Sequence, residues 1–158
     1  MNPETTYIAN KMETTIKANG KTVTITLTSE QVAQIRKETT HYTDIKTVED
    51  AFEFLGLDYK KWLQAREDQE ADVLAYEKLR VIVKALNGGR VMDYNNTDEN
   101  KYYPLFNSFG SSAGFSYGDY FCAFSRSVVC SRLCLIDSDR ATYAGKQFIE
   151  VYNQFINA

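Results

Sequence analysis

Ala85-Leu86-Asn87-Gly88-Gly89-Arg90-Val91-Met92-Asp93-Tyr94-Asn95-Asn96, running on to Lys101-Tyr102-Tyr103-Pro104-Leu105-Phe106, is where the chain changes character. Upstream, Ala75, Leu79, Ile82, Val83 and Leu86 recur on one helical face, which predicts a long helix from about 70 to 87. Glycine takes left-handed conformations without a steric penalty, so Asn87-Gly88-Gly89 reads as the helix terminator. Downstream, residues 90–127 are rich in Tyr, Phe, Ser, Gly and Asn and poor in aliphatic side chains. Such a segment is too aromatic for disorder and too glycine-rich for a continuous helix. It reads as loops and short strands, with Tyr117–Phe124 as one strand and Val128–Leu135 as its partner in an antiparallel hairpin near 117–135.

Toward the N-terminus, Asn19-Gly20 lies between alternating apolar and polar residues and supplies the left-handed pair of a tight hairpin turn. Val23, Ile25 and Leu27 alternate with Thr22, Thr24 and Thr26, the pattern of a half-buried strand. Thr28-Ser29-Glu30-Gln31 has the form of a capping box opening a short helix with Val32 and Ile35 inward and its end near Thr39. Thr47-Val48-Glu49-Asp50 opens another, with Ala51, Phe52 and Leu55 as its stripe and Gly56 as its stop. A further short element around Tyr59–Leu63 carries Trp62. At the C-terminal end, Asp137 or Ser138 caps a helix near 138–156 in which Ala141, Ala144, Phe148, Val151, Tyr152 and Phe155 recur at helical spacing. The sum is one α+β domain over 1–158, with residues 1–10 as a flexible N-terminal arm.

Composition narrows the class. With 158 residues, 44% hydrophobic and 25% charged, the chain can bury a core without staples. A net charge of −3 argues against a large nucleic-acid or membrane footprint. No N-terminal apolar segment reads as a signal peptide and no run is long enough to span a bilayer. Cys122, Cys130 and Cys134 cannot all pair within one chain, which fits reduced thiols in an intracellular protein.

Several blocks occur in order: Asn19-Gly20-Lys21, Leu27-Thr28-Ser29-Glu30-Gln31, Thr47-Val48-Glu49-Asp50-Ala51, Ala85-Leu86-Asn87-Gly88-Gly89, Lys101-Tyr102-Tyr103-Pro104, Ser131-Arg132-Leu133-Cys134 and Tyr143-Ala144-Gly145-Lys146-Gln147-Phe148. Together they resemble a family of short, functionally uncharacterised proteins encoded by tailed phages and prophages of gut bacteria. The resemblance spans nearly the whole chain. It departs at Arg90, Tyr94 and Leu105, where the family pattern carries tryptophan, and at Met92, where it carries proline. It implies a viral context and residence in the host cytoplasm, without a mechanism.

Catalytic and metal chemistry find little footing. The single histidine, His41, sits in Thr39-Thr40-His41-Tyr42-Thr43, where nothing marks a held base, and reads as a surface-loop residue. Glu49, Asp50 and Glu53 are accounted for by a first helical turn. Cys130 and Cys134, four apart on a strand, would lie about 13 Å apart, too far for a tight chelate. Asp93 to Asn100 begins like a calcium loop, but Asp98 stands where the glycine belongs and Pro104 where the bidentate glutamate belongs. Asn87-Gly88-Gly89-Arg90 closes a helix, whereas a phosphate loop opens one. No catalytic residue, metal ligand or cofactor is therefore assigned.

Functional interest falls on the aromatic segment. The expected contact set is Arg90, Tyr94, Lys101, Tyr102, Tyr103, Phe106, Tyr117, Tyr120, Arg126 and Arg132. Tyr, Ser, Gly and Asn are the vocabulary of protein-recognition loops, which points to a non-enzymatic accessory protein that binds a host or phage protein. The alternative is a single-stranded nucleic-acid binder that stacks bases on rings. Set against both, and ahead of the nucleic-acid reading, is the expectation that most of these rings pack a core poor in leucine and valine. If the rings form an interface, Tyr102→Ala and Tyr103→Ala weaken partner capture and leave the fold intact.

Overall fold

The computed structural model describes residues 5–8, 11–108, 114–123 and 131–157. These residues group into two compact units, Met1–Thr40 and His41–Ala158. The α+β class holds.

In the first unit, β1 (Thr5–Ile8), β2 (Lys11–Ala18) and β3 (Lys21–Leu27) form an antiparallel sheet in the order β1-β2-β3. β1 occupies part of the segment expected to be a flexible arm. The β2–β3 turn is Asn19-Gly20, with φ of 52° and 73°, as the dipeptide requires. Helix α1 (Ser29–Thr39) begins with the expected box: Gln31 N–H donates to the Thr28 hydroxyl and the Gln31 side chain accepts from Thr28 N–H. Burial falls short of expectation. Of the five apolar positions expected inward, Val23, Ile25 and Ile35 are exposed and Leu27 and Val32 are half-buried. Three strands and one helix offer too little area to enclose every apolar position.

The second unit is built around one helix. α2 (Val48–Phe54) and α3 (Tyr59–Gln64) lead into α4 (Ala71–Leu86), whose Ala75, Leu79, Ile82, Val83, Ala85 and Leu86 are all buried. α2 brings Ala51, Phe52 and Phe54 inward, and Gly56 stops it at φ 71°. The Phe52 ring packs edge-on against Trp62, with centroids 4.9 Å apart. Arg66, just after α3, is half-buried over the Trp62 ring and pairs with Glu77.

The expected C-terminal helix is two helices, α5 (Ser138–Gln147) and α6 (Ile149–Ile156), broken at Phe148, where φ is −110° and ψ 26°. The apolar spacing survives the break, since Ala141, Ala144, Phe148, Val151 and Tyr152 are all buried. The break lets α5 pack on the strands and α6 on α4. Buried Tyr152 lies against Phe106 with its hydroxyl unpartnered, and burial raises that phenol above its ordinary pKa.

The larger revision concerns strand pairing. β4 (Lys101–Asn107) and β5 (Ser116–Ala123) form an antiparallel pair, so the partner of the expected 117–124 strand lies before it in the chain. Of the expected second strand, 128–130 lie outside the described residues, Ser131–Leu133 is a 3-10 turn, and Leu135 makes one isolated bridge to Tyr102. Pro104 does not interrupt β4. Tyr102 exchanges its backbone bonds with Leu135, on the side away from β5, and Pro104 is two residues on. Its missing N–H therefore points to that same outer side and removes no β4–β5 bond.

Asn87 joins these pieces. It is buried at the end of α4, donates through Nδ2 to the Cys134 carbonyl at 3.0 Å, and accepts from the Ile136 N–H at 3.2 Å. Gly88 and Gly89 follow at φ 67° and 84°, with Gly89 N–H closing on the Lys84 carbonyl. Asn87→Ala orphans both partners, and denaturant melts should show a loss of about 2 kcal/mol or more.

A second prediction concerns acid. Burial opposes the Asp50 charge, yet the N–H groups of Lys46 and Thr47, the Thr47 hydroxyl and the Lys46 ammonium prevail and hold its carboxyl below the ordinary value. A depressed folded pKa means the stabilisation is complete above the unfolded value, roughly 4, and disappears as pH falls through the folded one. Asp50→Asn should flatten part of the decline in thermal midpoint measured between neutral and strongly acidic pH.

Candidate functional site

The β4–β5 pair has two faces, because successive side chains on a strand alternate. Tyr102, Pro104 and Phe106 share one face. Tyr102 and Phe106 pack on the main core, and the Tyr102 ring lies 5.8 Å from that of Tyr120. Across the sheet, Tyr117 donates its hydroxyl to Thr142 on α5 at 2.9 Å, and Lys146 Nζ sits 5.2 Å from the Tyr117 ring centre. Buried Gly145 permits this approach, since a Cβ there would collide with the Tyr117 ring and Pro104.

Lys101, Tyr103 and Leu105 share the opposite face. Its inner part is covered: Tyr103 is 8% exposed and clusters with Met92, Ala123 and Cys134, with Tyr94 and Ile136 packed alongside. The Tyr94 and Tyr103 hydroxyls hydrogen-bond each other. Burial raises the Tyr94 phenol far above its ordinary value, and its bonds to Cys134 and Tyr103 add to the shift. Burial also pushes the Cys134 thiol up, against the lowering influence of both phenols and of Lys101. A thiol kept protonated is a poor nucleophile, so this cluster is a polar seam in the core.

Lys101 is fully buried, at 0% exposure. Its Nζ donates to the carbonyl oxygens of Asn96 at 2.8 Å and Glu99 at 2.6 Å, and lies 3.5 Å from Glu99 Oε2. The Tyr94 ring centre is 5.5 Å away. The Glu99 carboxylate also pairs with Arg90 and accepts from the Asp93 N–H at 2.9 Å. Asp93 and Asn96 spend side-chain oxygens on the N–H groups of Asn95 and Asp98. The acidic loop is thus folded on a lysine of the same chain.

The outer part of this face is open. Leu105 is 46% and Phe121 43% exposed. Register places Leu105 opposite Asp119 and Tyr103 opposite Phe121, so Leu105 and Phe121 are diagonal neighbours on one face, about 7–8 Å apart. Val91, 74% exposed, adjoins Met92 on the loop that covers Tyr103.

The expected contact residues therefore divide. Tyr103 and Lys101 are core; Tyr94, Tyr102, Phe106 and Tyr117 are half-buried with intramolecular partners; Arg90, Tyr120 and Arg132 are exposed, Arg90 in its pair with Glu99; and Arg126 lies outside the described residues. Leu105 and Phe121, absent from the expected set, form the open apolar part of this face. The strand register that brings them together has no signature in either residue alone. His41 is exposed, its Nδ1 2.8 Å from the Thr43 hydroxyl. Among the described residues no group of three or more His, Cys, Asp or Glu side chains is placed to hold a metal, and no helix is long and apolar enough to cross a membrane.

The burial reverses the outcome expected for Tyr103. Tyr103→Ala should cost about 3 kcal/mol or more in denaturant unfolding as a core truncation, whereas Phe121→Ala should cost about 1 kcal/mol or less.

Comparison with protein-family models, with curated proteins and with solved structures returns no match for this chain.

Proposed function

We propose that this chain is a phage-encoded accessory protein that acts by binding a host or phage protein, in counter-defence, host takeover or virion assembly. The viral context rests on the ordered sequence blocks quoted above. The observation that carries the binding role is the open apolar face of the β4–β5 pair. Leu105 and Phe121 stand exposed side by side, with Asp119 as the charged residue among them and Val91 on the adjoining loop. Adjacent exposed large apolar groups on a buried framework mark contact surfaces more often than scattered single ones do. The framework supports the role as well. Lys101, Tyr94 and Tyr103 hold the strand and loop beneath the patch in place, which limits the ordering cost of association.

Single-stranded nucleic acid is the weaker alternative. Of the cations interleaved with the rings, Lys101 is fully buried and Arg90 is paired with Glu99, so neither is free to track phosphates. The test is affinity capture from host or infected lysate with wild type and Leu105→Ser/Phe121→Ser as baits. The double variant should retain its circular dichroism spectrum and reduce recovery of specific partners about tenfold or more. Equal recovery by both baits removes this face from the interface. Retention on single-stranded oligonucleotides that falls steeply with salt would favour the alternative.

A further inference from the structure

We propose that the 93–100 loop is a cation-binding loop whose cation belongs to the chain itself. Lys101 Nζ occupies the cradle, and the same cradle accepts a free primary ammonium ion once that side chain is shortened. This proposal is independent of any partner that the protein binds.

An alkylammonium has three N–H donors and no acceptor. The cradle presents three oxygens to it, the Asn96 carbonyl at 2.8 Å, the Glu99 carbonyl at 2.6 Å and Glu99 Oε2 at 3.5 Å. The two carbonyls take hydrogen bonds from the ammonium, and the carboxylate adds an ion pair. The remaining side is the Tyr94 ring, with its centre 5.5 Å from the nitrogen, and an aromatic face attracts an ammonium. Calcium would need six to eight oxygens at about 2.3–2.6 Å, a shell that two carbonyls and one carboxylate do not supply. The oxygen-rich pattern of Asp93 to Asn100 is thus an ammonium cradle, and the residue that fills it is the first of β4.

Occupancy organises the loop. Glu99 is fixed by the ammonium and by Arg90, and from that position it receives the Asp93 N–H at 2.9 Å. Tyr94, held over the ammonium, reaches the Tyr103 hydroxyl. With the ammonium removed, Glu99 keeps Arg90 but loses the buried one of its two cations, and the loop loses the contact that draws its carbonyls inward. α4 has its own packing and should be unaffected.

Native-state hydrogen exchange on the full chain tests this. In Lys101→Ala, protection of the Asp93 amide should fall about tenfold or more, the loss expected for a hydrogen-bonded charge, while amides of α4 keep theirs. Propylammonium, which replaces the three methylenes and the N–H donors that alanine lacks, should return the protection in a saturable manner. Tetramethylammonium, equally charged but without N–H, should not. Lys101→Met, which keeps the volume and removes the charge, should lose protection and stay insensitive to propylammonium. Unchanged protection in Lys101→Met overturns the proposal, as does equal action of the two ammonium ions on Lys101→Ala. If Lys101→Ala does not fold alone, propylammonium should recover its folding, and failure to do so also overturns the proposal.

Discussion

A fully buried ammonium is costly to maintain, because water that would solvate it has been removed and only nearby oxygens can replace that solvation. At Lys101 the replacements are the Asn96 and Glu99 carbonyls and the Glu99 carboxylate. Each comes from the loop immediately before it, so burial of one side chain at the start of β4 dictates the path of the preceding residues. Met92 and Tyr94 are thereby laid over Tyr103 and Cys134. The second, smaller core exists because the loop is drawn inward at this point.

The other fixed point is the end of α4. Asn87 bonds both the Cys134 carbonyl and the Ile136 N–H, while Leu135 between them bridges Tyr102. Helix end, returning chain and first β4 residues are tied within one short stretch. Arg140 reinforces it from α5 by donating to the Leu86 carbonyl at 2.8 Å. These polar links lie between two apolar clusters and set the orientation of the strand pair, which apolar contact alone would specify poorly.

Both restraints act on one face of the strand pair and leave its outer part free. The aromatic segment is therefore neither wholly core nor wholly surface. Tyr103, Phe106 and Tyr117 have intramolecular work, as the bland reading of a ring-rich core required. Leu105 and Phe121 stay exposed on the outer part of that face.

Local chemistry was legible in the sequence. The boxes at Thr28/Gln31 and Thr47/Asp50, the Asn19-Gly20 turn, the α4 stripe and its glycine stop are each decided within a few residues by hydrogen-bond reach and backbone sterics. The α+β class followed from them. Three features lay beyond that range. Pro104 and the polar run before it concealed β4, whose strand character depends on β5 and on Leu135 on either side. The break at Phe148 leaves the apolar period intact and is set by what α5 and α6 pack against. The division of rings into core and surface depends on a cross-strand register and on a lysine buried by its own loop. A linear pattern records which side chains share an element, but burial is a property of pairs of elements. Only the tertiary structure decides it.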